Sequence, residues 1–132
     1  MSYAILLNED VDPVFVVHNV KGGIHAPWNN VAATGCHTVT GHLHDQHERT
    51  RSFLLKEATG IDHGCLADVD HGAFSYRMSR PANWRSGFVV LKFDNQGRLY
   101  PPEFCRVQIF GAYKRAIFRG EVVCERRMKA AA

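Results

Sequence analysis

Four of the eight histidines in this 132-residue chain, His37, His42, His44 and His47, fall within eleven residues. His42 and His44 flank a single leucine in Gly41-His42-Leu43-His44. On an extended backbone, residues two apart point to the same side, so a His-x-His pair can present two imidazoles to one metal ion or to two adjacent ions. The glycine in front permits backbone conformations closed to other residues. Three imidazoles can hold Zn²⁺ or Mn²⁺, and His18 is the candidate for the third. It closes the apolar run Val14-Phe15-Val16-Val17, and strand ends meeting at one edge of a sheet would bring it beside His42. The spacing alone is equally that of two exposed histidines, and a lone strand-end histidine more often makes a structural hydrogen bond.

Other residues carry weaker chemistry. His25 and Lys21, in the glycine-containing segment 21–30, could touch a substrate phosphate or stand exposed. His63 and His71, with Asp62, Asp68 and Asp70 close by in sequence, form a second conceivable carboxylate and imidazole group. No glycine-rich phosphate loop with Lys-Ser/Thr, nucleophile elbow or His-Glu-x-x-His helix occurs. Trp28, Trp84, Tyr76 and Phe88 could stack bases of single-stranded nucleic acid, but no basic stripe in the sequence surrounds them, which favours packing roles.

The elements that must position these side chains are mostly strands. The β-branched run 14–17 reads as a buried strand ending at His18. Residues 19–30 read as a loop entering a short helix at 31–34, 38–40 as a strand leading into Gly41, and 51–57 as a third strand. Residues 60–86 are irregular by pattern. Residues 88–93 and 98–100 form a hairpin around the turn 94–97, and Pro101-Pro102 limits the returning strand to an edge. Residues 104–110 and 116–123 read as two more strands, with residues 124–132 as a disordered tail. The fold class is α/β and β-rich.

Length and composition bound the rest. At 132 residues the chain is about one domain, 45% hydrophobic and 22% charged, with a formal charge of +3. No apolar run approaches the roughly 20 residues that cross a bilayer, and the first ten residues lack a secretion-signal pattern, so a cytoplasmic location without membrane contact is expected. Cys36, Cys65, Cys105 and Cys124 form no Cys-x-x-Cys pair and read as reduced, mostly buried thiols.

Taken in order, Val16-Val17-His18-Asn19 and Gly41-His42-Leu43-His44 resemble the carboxyl-terminal half of a calcineurin-like metallophosphoesterase. The stretch NWRSGFVVLKFDNQGRLYPPEFCRV, followed by FRGEVV, is similar to the end of bacteriophage phosphoesterases of that superfamily, and the resemblance covers residues 14–123. It implies a metallophosphoesterase-like β-sandwich flanked by helices, incomplete over residues 1–123. It also implies two divalent metal ions (Mn, Fe or Zn) and hydrolysis of a phosphate ester, with phosphodiesters and nucleic acid among the substrates. By motif, His18 and His42 resemble ligands of the second metal and His44 a ligand of the first, while His25 is the candidate for substrate contact. The family's Asp-x-His, Gly-Asp-x-x-Asp and Gly-Asn-His-Asp/Glu motifs, which supply the bridging carboxylate, do not precede His18. The expectation is therefore a fragment, inactive alone, whose carboxylates come from a separate N-terminal half or have been lost. The competing expectation is a non-catalytic β-rich binding or assembly module with structural or single-zinc histidines.

Overall fold

The structure, a computed structural model, describes residues 4–68 and 83–128. Among the described residues are strands β1 (Ala4–Leu7) and β2 (Val14–Val17), helix α1 (Ala26–Thr34), and strands β3 (His37–Thr40), β4 (Gln46–Ser52) and β5 (Glu57–His63). Strands β6 (Gly87–Val90), β7 (Glu103–Phe110), β8 (Tyr113–Phe118) and β9 (Glu121–Arg127) follow. They form a five-stranded sheet in the order β1-β2-β3-β5-β4 and a four-stranded antiparallel sheet β6-β7-β8-β9. Strands β2, β3 and β5 run parallel, so their carboxyl ends share one edge. β1 and β4 flank them antiparallel.

Register assigns the two faces of the mixed sheet. Val16, Val39 and Ile61 stand side by side on one face, and Phe15, Thr38 and Gly60 on the other. The first face carries the core: Val14, Val39 and Ile61 are buried, with Val89, Leu91, Phe93, Leu99 and Phe104 of the second sheet and its hairpin packed against them. Helix α1 covers the opposite face. Its first turn holds Pro27, whose fixed φ suits a helix start. Gly35 ends it at φ 71, donating its N–H to Val31 O at 2.8 Å. Pro27 is thus a starter, and the helix expected only at 31–34 begins at Ala26.

Several expected boundaries move. The 51–57 segment is a hairpin tip, where Phe53 N–H donates to Lys56 O at 2.7 Å and Leu54 and Leu55 are almost fully exposed. The strand expected there is divided between β4 and β5. Residues 116–123 likewise divide at a turn through Arg119 and Gly120, both at positive φ, and β9 continues as ladder to Arg127, past the expected boundary at residue 123. β5 extends order into the segment expected to be irregular; residues 69–82, with Asp70, His71 and Tyr76, lie outside the described residues. Two sheets with one helix among the described residues make a β-rich α/β arrangement. No described helix is long and apolar enough to cross a membrane. Of the thiols, Cys105 is buried, Cys36 and Cys65 half-buried and Cys124 exposed, all free.

Candidate metal centre

The parallel strands deliver three imidazoles to one edge. His18 follows the last residue of β2, His42 follows β3 after Gly41, and His63 ends β5. Gly41 N–H reaches His18 O at 3.4 Å, and His42 Nδ1 lies 3.2 Å from His18 Nε2 with the rings edge-on at 84°. One nitrogen donates and the other accepts, so the two rings hold opposite roles at that contact.

His44 sits at φ 59, a left-handed conformation that costs a residue with a Cβ. Its carbonyl accepts the Arg85 N–H at 2.7 Å, its ring meets the Trp84 ring at 4.7 Å, and its Nδ1 is buried without a hydrogen-bond partner. Gly41 does not have positive φ; its role is space, since a Cβ there would lie 2.3 Å from His63 Nε2. A cavity of ≈ 460 Å³ opens here, lined by His18, Gly41, His44, His63 and Cys65 among others.

Burial favours the uncharged form of two of these rings, His44 and His63. Burial, then the neighbouring His42 and His18, lowers the pKa of His44. Burial is also the main cause for His63, opposed by a backbone hydrogen bond and reinforced by His44 and His18. Neutral imidazole is the form that ligates metal.

Two ligand nitrogens on a tetrahedral Zn²⁺ with bonds of about 2.0–2.1 Å stand roughly 3.3 Å apart. The 3.2 Å between His18 and His42 matches that separation. Beyond this pair the fit ends. No group of three His, Cys, Asp or Glu among the described residues is arranged to hold a metal ion. The edge therefore offers a two-imidazole chelate with further imidazoles nearby and, among the described residues, no bridging carboxylate.

The acids lie on the helix-covered face. Asp62 pairs with His47 across β4 and β5 and shares its face with Thr40. Asp62 is fully buried, and neither oxygen accepts a well-formed hydrogen bond. Burial raises its pKa to about 7; the Asp45 charge adds to the rise, and the approaching Gly64 and Leu43 amides oppose it. Asp45-Gln46-His47 spells Asp-x-His behind the histidine pair rather than ahead of it. His47 Nδ1 lies 3.2 Å from Asp45 Oδ2, without hydrogen-bond geometry.

The remaining candidates separate from this edge. His25 is the exposed N-cap of α1 and lines neither this cavity nor the larger one beside it. His37 accepts the Thr59 N–H at Nδ1 (2.9 Å), which places its ring proton on Nε2, 3.0 Å from Asp12 Oδ1. It is a structural link between β3, β5 and the β1–β2 connection.

His63 is the edge residue that sequence reasoning placed elsewhere, in an acidic group with Asp62. Alternation on a strand separates the two: His63 shares its face with Ile61 and Asp62 does not. Reading 57–63 as a strand would have revealed this. Comparison with family models, curated protein sequences and solved structures finds no match to the chain.

Proposed function

We propose that this chain is the imidazole-donating, carboxyl-terminal part of a dinuclear metal-dependent phosphoesterase, a hydrolase of phosphate esters and phosphodiesters in particular. The observation that carries the reading is the His18–His42 contact at chelating distance, at the carboxyl ends of adjacent parallel strands. His44, two residues on, lines the adjoining cavity and carries a buried, unpartnered nitrogen. When bound, two divalent ions would supply Lewis acidity and an activated water. The chain's own part is to bring His18, His42 and His44 to one edge, with Gly41 making room for His63. The bridging carboxylate must come from another polypeptide or a preceding segment, since two close dications need negative charge between them.

A test is to translate the coding sequence upstream in all frames, express any segment bearing the bridging motifs, and assay hydrolysis of an activated phosphodiester with Mn²⁺. The chain alone should be inactive, the mixture active, and the mixture with His42→Ala inactive. A mixture with no hydrolysis, or one indifferent to His42→Ala, contradicts the reading. The absence of a three-donor group among the described residues favours a second reading, a non-catalytic binding or assembly module, under which no complement restores hydrolysis.

A further inference from the structure

A larger cavity, ≈ 600 Å³, adjoins the histidine edge and shares Leu66 with the smaller one. Its floor is the second sheet. Ile109, Lys114 and Arg126 stand in one row across β7, β8 and β9, with Val107, Ala116 and Cys124 in the next row of the same face. All six line the cavity. Trp84, Arg85 and Ser86 form a wall, pinned by main-chain bonds: Arg85 N–H to His44 O at 2.7 Å, and Cys65 N–H to Arg85 O at 3.1 Å.

The charge of this trough is one-sided. Among the described residues, Arg85, Lys114 and Arg126 line it against a single acid, Asp68, whose carboxylate pairs with Lys114, while the Arg106 side chain alternates to the other face of β7, its guanidinium over the Phe104 ring. The cations come from β8, β9 and the Trp84 wall, three separate stretches of chain. A basic cluster invisible in the sequence is assembled by the sheet register beside an indole that also touches His44. Three cations along a trough suit successive phosphates better than one, and a cavity of this size accepts a nucleotide-sized unit. An indole stacks on an unpaired base, whereas a duplex hides its base faces.

We infer that this trough seats single-stranded nucleic acid, with Arg85 and Arg126 on phosphates and Trp84 stacking a base next to the histidine edge. The inference rests on the proposed phosphoesterase only in making that edge the place of cleavage; binding needs no metal. Trp28 takes no part, since it lies on α1 beneath the Arg51 guanidinium, 4.9 Å from its ring.

The test is fluorescence anisotropy of a labelled oligothymidylate with the full chain in EDTA, over a range of salt. Binding should weaken linearly in log salt, with a slope of about −0.7 for each phosphate contacted. Arg85→Ala and Arg126→Ala should each weaken binding and shallow that slope by about one contact. Trp84→Leu should cost roughly tenfold without changing the slope. Arg51→Ala, a cation outside the trough, should change neither. No binding by the wild type, equal affinity for duplex of the same length, or equal losses from Arg51→Ala and Arg126→Ala would overturn the inference. Because the assay excludes metal, binding here with no hydrolysis in the complemented mixture would sink the phosphoesterase and leave the strand-binding trough standing.

Discussion

Asp62→Asn should stabilise the protein at pH 8 by up to about 4 kcal/mol while changing its stability little at pH 4. The figure follows from a pKa raised from 3.8 to about 7 at about 1.4 kcal/mol per unit. Between those pH values the folded protein holds a proton that the unfolded chain has released, so stability falls as pH rises through the window and is level above it. Asp62 is fully buried, so solvent screening does not reduce the effect. The amide introduced by this substitution would also find acceptors, since Asp45 is close and both nitrogens of His47 are unpartnered. Urea denaturation at pH 4, 6 and 8 reads the result: wild type should lose stability across the series and the variant should hold it. A variant less stable than wild type at pH 8 would show that the carboxylate has a cationic partner in solution.

Gly60→Ala should destabilise by about 3 kcal/mol, at the upper end of the range for overpacked cores. A Cβ at Gly60 would lie 1.9 Å from the Pro27 carbonyl oxygen and 2.8 Å from its Cα. These are backbone atoms at the start of α1, so the helix must move off the sheet and no side-chain rotation relieves the contact. Gly22→Ala is the control, with nothing within 4 Å of its added Cβ, and should be near neutral. Equal midpoints for the two variants in denaturant would mean that α1 does not pack on Gly60 as described.

Strands β2 and β3 were legible because they are short β-branched or Thr-Val runs, half-buried to buried, where local pattern and tertiary demand agree, whereas their parallel partner β5 was not. β4 was not. Gln46-His47-Glu48-Arg49-Thr50-Arg51-Ser52 is an edge strand with much of its surface in water, so its polar sequence looks like a loop. The apolar Phe53-Leu54-Leu55, by contrast, sits in the exposed tip that follows, and hydrophobicity there marks a turn rather than a strand. β9 was truncated for a related reason: its seven residues are all exposed, and its ladder to β8 leaves no burial pattern to read. Of the candidate site, the meeting of His18 and His42 was legible from strand ends. The approach of His63 depends on a glycine seen only across strands, and the cations of the trough on the register of β8 and β9.

The most direct measurement is X-ray absorption at the zinc edge of the wild-type chain loaded with one equivalent of Zn²⁺, together with titrations of His18→Ala, His42→Ala, His44→Ala and His47→Ala. Wild type should show imidazole scattering from at least two rings. His18→Ala and His42→Ala should lose that signal and weaken binding roughly a hundredfold, the upper end of what even outer-shell partners cost. His44→Ala should weaken the uptake of a second equivalent, and His47→Ala, on the helix-covered face, should match wild type. Equal losses from all four variants, or zinc bound with no imidazole signature, would contradict a metal half-site at the carboxyl edge of β2 and β3.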